Sequence, residues 1–111
     1  MSTVPALIWS PFGDLSAARE CIATLLDEGL IACANIIPGL ESHFTWNGER
    51  EQSTEVGVLF KTSTDLLELA VARITEVHPY DAPAVAGWAA DRTNPATSAW
   101  LGMLGVTGPG S

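Results

Sequence analysis

Three residues of one short loop bring three different ionisable groups together: His78, Tyr80 and Asp81 place an imidazole, a phenol and a carboxylate within four positions. Such a group could hold a divalent cation or move protons near neutral pH. A rigid turn framed by Pro79 and Pro83, with His78 capping the helix before it, explains the same residues without a site. Cys33 lies in the apolar Ile31–Ile37 segment. A thiolate there would suit Cu(I) or another soft cation, while a small buried hydrophobe is the competing assignment. Lys61, the one lysine of the chain, ends an apolar strand pattern. It could meet a carboxylate or phosphate ligand in a cleft, or pair with Asp81 or Glu76. His43 alternates with Glu41 on a polar strand face and reads as solvent-facing. No nucleophile and base stand in a recognisable arrangement, and P-loop, dinucleotide, nucleophile-elbow and zinc-finger spacings are absent. A catalytic role is therefore not expected.

The elements that must position these groups follow from periodicity and turn residues. Val4 to Trp9 reads as a short buried strand closed by Ser10-Pro11 and Gly13-Asp14. Leu15, Ala18, Ile22, Leu25 and Leu26 recur at helical steps, with Asp14 or Ser16 as N-cap and Gly29 beyond the C-terminus. A long extended segment, Ile31 to Trp46, is interrupted by Pro38-Gly39, which marks a bulge or bend. Asn47-Gly48 favours a two-residue type I′ turn, because both residues tolerate positive φ. The returning strand is polar to Glu55 and apolar from Val56 to Phe60. Thr62 to Asp65 opens a second helix, with Asp65 and Glu68 at capping-box spacing and Leu67, Ala70, Val71 and Ile74 as its buried stripe. After the proline-rich loop, Ala84 to Ala89 reads as a last strand. Asn94-Pro95 starts a short terminal helix bearing Trp100, Leu101 and Leu104.

This order, β-α-β-β-α-β plus a helix, predicts an α+β, ferredoxin-like sandwich with a long β2–β3 hairpin. One domain over residues 1–105 is expected, followed by a flexible tail at 106–111. The hairpin arms from Leu40 to Glu55 are too long to be stable alone in water, which asks for a partner surface.

Composition points the same way. Apolar residues make up 47% of the chain and charged residues 16%, a balance that suits burial of apolar surface between copies. Thirteen acidic against five basic residues give a formal charge of −8. That excludes the basic footprint needed for nucleic acid or anionic membrane. Cys21 and Cys33 show no CxxC pairing and read as reduced thiols. The Val4–Trp9 stretch is too short for a leader or a membrane span, so a cytoplasmic protein is expected.

Taken together, Ala32-Cys33-Ala34-Asn35-Ile36-Ile37-Pro38-Gly39, Trp46-Asn47-Gly48, Glu55-Val56, Lys61-Thr62 and His78-Pro79-Tyr80-Asp81-Ala82-Pro83 closely resemble the CutA divalent-cation tolerance family, in one register from about Val4 to Trp100. The resemblance implies a homotrimer in which the hairpin extends a neighbour's sheet, with Phe44 and Trp46 at the interface. It also implies a link to copper or other divalent cations through Cys33, no required cofactor and no established catalysis; His78 and Asp81 stay candidate metal ligands on the chemistry of their own loop. Trimeric nitrogen-regulatory signalling proteins share this architecture and bind ligands in intersubunit clefts. By that analogy, Lys61, Tyr80 and Trp100 would line a cleft for a small molecule or anion. The chain departs from the usual family pattern at Phe44, Glu49, Asp81, Ala84 and Thr97.

Overall fold

The computed structural model describes residues 4–104; the expected tail at 106–111 lies outside the described residues. The elements are β1 (Pro5–Phe12), α1 (Leu15–Asp27), β2 (Cys33–Trp46), β3 (Glu49–Ser63), α2 (Thr64–Val77), β4 (Ala86–Ala89) and α3 (Pro95–Gly102). The four strands form one sheet in the order β2-β3-β1-β4, with every neighbouring pair antiparallel. This is the expected α+β, ferredoxin-like arrangement.

Local chemistry sets most boundaries. Asp14 caps α1 by accepting the Ala17 amide at 2.8 Å, and Asn94 caps α3 by accepting the Thr97 amide at 2.9 Å. Gly29 takes φ 71° just past α1, the left-handed turn that ends a helix without a Cβ clash. Asn47 and Gly48 adopt φ 52° and 79° at the hairpin tip, as a type I′ turn requires. The β2–β3 register shifts between Ile37 and Leu40, so Pro38-Gly39 is a bulge.

Strand alternation sends Ile8, Phe12, Val58 and Phe60 to one face, where Ala18, Cys21 and Leu25 of α1 and Ala70 and Ile74 of α2 complete the core. Two buried hydroxyls in this core find backbone acceptors: Ser10 Oγ donates to Ala84 O and Thr62 Oγ1 to Leu30 O, each at 2.8 Å. Arg73 of α2 clamps Glu28 at the end of α1 through bonds of 2.8 to 3.2 Å.

The other face is only partly covered. Pro5 and Ser63 are buried at one end, and α3 packs against β1 and β3. Elsewhere Leu7, Trp9 and Leu59 are half-buried, and Ile37 and Trp88 remain 44% and 45% exposed. Trp9 lies over Gly57 so closely that a Cβ there would collide with its ring and would sit 2.7 Å from Leu40 Cδ1.

Four local expectations are corrected. β1 continues through Ser10-Pro11 to Phe12. β4 pairs only with Ala6–Trp9, and the Pro11 carbonyl is turned to the side β4 leaves open, so its missing N–H removes no ladder bond. α2 begins after Ser63, whose side chain makes no cap bond, so the Asp65/Glu68 box does not define its start. On α1, Cys21 joins the core while Leu15 and Leu26 stay exposed. The last strand starts at Ala86 rather than Ala84, whose carbonyl is held by Ser10.

Candidate functional site

The loop after α2 is fastened to the sheet at three points. His78 ends α2, its amide bonding to Ile74 O at 2.9 Å, and its ring stacks on Phe12 with centroids 4.1 Å apart. Its Nε2 lies 2.9 Å from Pro11 O. A carbonyl only accepts, so Nε2 carries the hydrogen and Nδ1 accepts the Tyr80 amide at 3.2 Å. The Ser10–Ala84 bond holds the loop's far end. Between these anchors the Tyr80 hydroxyl donates to Glu55 Oε2 at 2.7 Å, tying the loop to the base of the hairpin arm.

A groove of about 680 Å³ opens between arm and loop. Ser42, His43, Phe44 and Trp46 line it from β2, Ser53 and Glu55 from β3, and Tyr80 and Asp81 from the loop. Register explains most of it: Leu40 pairs with Glu55, Ser42 with Ser53 and Phe44 with Glu51, so their side chains share one face of the arm. That face is continuous with the partly covered side of the sheet. Burial, then the hydrogen bond and charge of Glu55, then the charge of Asp14, push the Tyr80 phenol up to about 12. It is thus a neutral donor across the physiological range.

The expected site residues are not gathered in one place. Cys33 is half-buried on β2, directly opposite Lys61 of β3. Pro11, which holds His78, pairs with Gly57, four residues along β3 from Lys61, or about 13 Å at the usual strand rise. Cys33, His78 and Asp81 therefore do not converge within one chain, and both ring nitrogens of His78 already bond to backbone. No group of three or more His, Cys, Asp or Glu that could hold a metal occurs among the described residues. Of the expected cleft residues, Tyr80 lines the groove but Lys61 and Trp100 do not. Lys61 has no carboxylate partner among the described residues, and Glu76 instead approaches Arg73 at 3.7 Å. His43 Nε2 meets Glu41 Oε2 at 2.6 Å on the exposed arm. Sequence reasoning missed Glu55, Ser42 and Ser53 as site residues; the Glu55-Val56 pair within the family-like motif set was the available signal. Cys21 is a core thiol, pushed up to about 11 by burial despite the nearby Arg73 charge.

A βαββαβ chain with a projecting hairpin and a groove between that arm and the loop after α2 defines a ferredoxin-like class. Residues 6–103 match the family described as CutA1 divalent ion tolerance protein. The divalent-cation tolerance protein CutA of Pyrococcus horikoshii is 39% identical over 95 residues, covering 86% of this chain and 92% of that one. The crystal structure of divalent ion tolerance protein CutA1 from Ehrlichia chaffeensis superimposes with a TM-score of 0.85 at 30% identity, covering 89% of this chain and 92% of its own. The periplasmic divalent cation tolerance protein CutA from Archaeoglobus fulgidus gives 0.82 at 26% identity, covering 87% and 94%. The chain belongs to the CutA1 divalent ion tolerance family. No helix among the described residues is long and apolar enough to cross a membrane.

Proposed function

We propose that this protein acts in divalent-cation tolerance as a homotrimer that binds a soft metal ion, copper above all, rather than turning over a substrate. The observation that carries the assembly is the partly covered sheet face, apolar through Leu7, Trp9, Leu59 and Trp88 and continued onto the arm by Phe44 and Trp46. Such a face is stable in water when copies of the chain cover it. Cys33 lies on this same face, in no cluster of metal ligands among the described residues of its own chain. Its coordination shell is then completed between copies, and Lys61 opposite supplies a charge that anionic co-ligands would meet. Two free thiols suit the reducing cytoplasm, where this reading places the protein.

Metal uptake through Cys33 requires a deprotonated thiol, so it releases protons and weakens as pH falls. Copper stoichiometry should drop to background in Cys33→Ser, with the assembly intact, and stay unchanged in the Cys21→Ser control. Equal copper in wild type and Cys33→Ser would remove the ligand role.

The groove favours a second reading, ligand sensing, because its volume falls in the range of about 300–1,000 Å³ used by small-molecule sites. The anion expected through Lys61 is not supported, since that lysine does not line it.

A further inference from the structure

We propose a metal site on the polar face of the arm, where His43 and Glu41 together chelate a borderline divalent ion, Ni²⁺ or Zn²⁺, through one nitrogen and one oxygen. The chain has two histidines. His78 bonds backbone through both ring nitrogens, so His43 is the one placed to ligate. It stands two residues from Glu41 on β2, and strand alternation turns both side chains to one side. His43 Nε2 lies 2.6 Å from Glu41 Oε2. Ligand bonds of about 2.0–2.2 Å at right angles around one ion hold their donor atoms about 2.9 Å apart. The pair therefore opens by only about 0.3 Å to take an ion in place of the shared hydrogen.

The site is compatible with the assembly proposed above. By register Glu41 pairs with Thr54 and His43 with Gln52, so their side chains leave the arm on the side opposite Phe44 and Trp46. His43 borders the groove but Glu41 does not, and it is toward Glu41 that the ring bonds. Copies that cover the apolar face leave this one in water, where the side chains of His43 and Glu41 are 54% and 75% exposed within one chain. No third His, Cys, Asp or Glu completes a cluster among the described residues, so water fills the other positions around the ion. The donor set also selects the ion. Imidazole with carboxylate suits Ni²⁺ and Zn²⁺, whereas Cu(I), the soft ion assigned to Cys33, takes sulfur and passes this pair by. From Leu40 to Glu55 the arm carries four glutamates against Arg50 alone, a field that draws cations in. Arg50 shares the polar face, opposite Thr45, and is the one charge there that opposes binding.

Ni²⁺ titrated into the untagged full-length protein tests the proposal, with calorimetry for stoichiometry and amide NMR for position. One ion per chain is expected, with paramagnetic broadening centred on residues 41–45 and 50–54. His43→Ala should abolish that binding. Glu41→Gln should weaken it by on the order of tenfold or more, since loss of even an outer-shell partner costs about that much. Both positions are exposed, so melting temperature and mass by light scattering should stay at the wild-type values in each variant. Equal Ni²⁺ affinity in wild type and His43→Ala would overturn the site, as would broadening centred on Cys33 or on the loop after α2. Absence of saturable binding would overturn it too, while leaving the copper uptake assigned to Cys33 to its own test.

Discussion

Tyr80 is the residue on which the loop and the arm depend together, and its titration reports that connection. It is the single tyrosine of the chain, so near-UV absorbance follows its phenol without overlap from another. The folded state holds the proton to about 12, against 10.0 for a free tyrosine. The contribution to stability is therefore fully present below pH 10 and is lost as pH rises toward 12, because the unfolded chain ionises first. In Glu55→Gln the phenol should titrate lower than in wild type yet still above 10, since burial is the largest cause of the shift and survives the substitution. Titration at the free-tyrosine value in wild type would show that the loop is not fastened to the arm. Glu28 works in the opposite sense. Its bonds to Arg73 hold its carboxyl below the usual range, so the α1–α2 clamp is present above the unfolded carboxyl value and is lost as pH falls through the folded one.

At the level of elements, the hairpin was legible because its signals are local. Asn47-Gly48 and Pro38-Gly39 demand backbone conformations that few other residues adopt, and the chain adopts a type I′ turn and a bulge at those places. The end of β1 was hidden because proline reads as a terminator unless the sheet edge beside it is known to be open. Cys21 was hidden because helical periodicity alone does not say which of two adjoining stripes meets the sheet. Tyr80 and Asp81 stood out by chemical type, but their partner Glu55 sits 25 residues before Tyr80. Only the β2–β3 register and the path of the loop bring it into the groove. Gly57 offers a direct check on the packing at the arm's base. Gly57→Ala would drive a methyl group into Trp9 and Leu40, and should destabilise the fold by about 1–3 kcal/mol in chemical denaturation. A neutral result would mean that Trp9 is free to leave the sheet.

For the whole molecule, the dimensions of 48 × 29 × 22 Å reflect an arm that extends beyond its own core. Within one chain Trp46 is more than half exposed, so Trp46→Ala should cost well under 1 kcal/mol if the chain works alone. If a neighbour buries it, the loss should approach the about 3–5 kcal/mol of a buried aromatic truncation, with weaker assembly and a lower melting temperature. The mass of the native protein at micromolar concentration decides between these cases most directly. Light scattering should give three times the 11.7 kDa of one chain, and the three-fold mass should persist at high salt because the contacts are apolar. A mass of one chain would contradict the assembly on which the proposed cation-tolerance role rests.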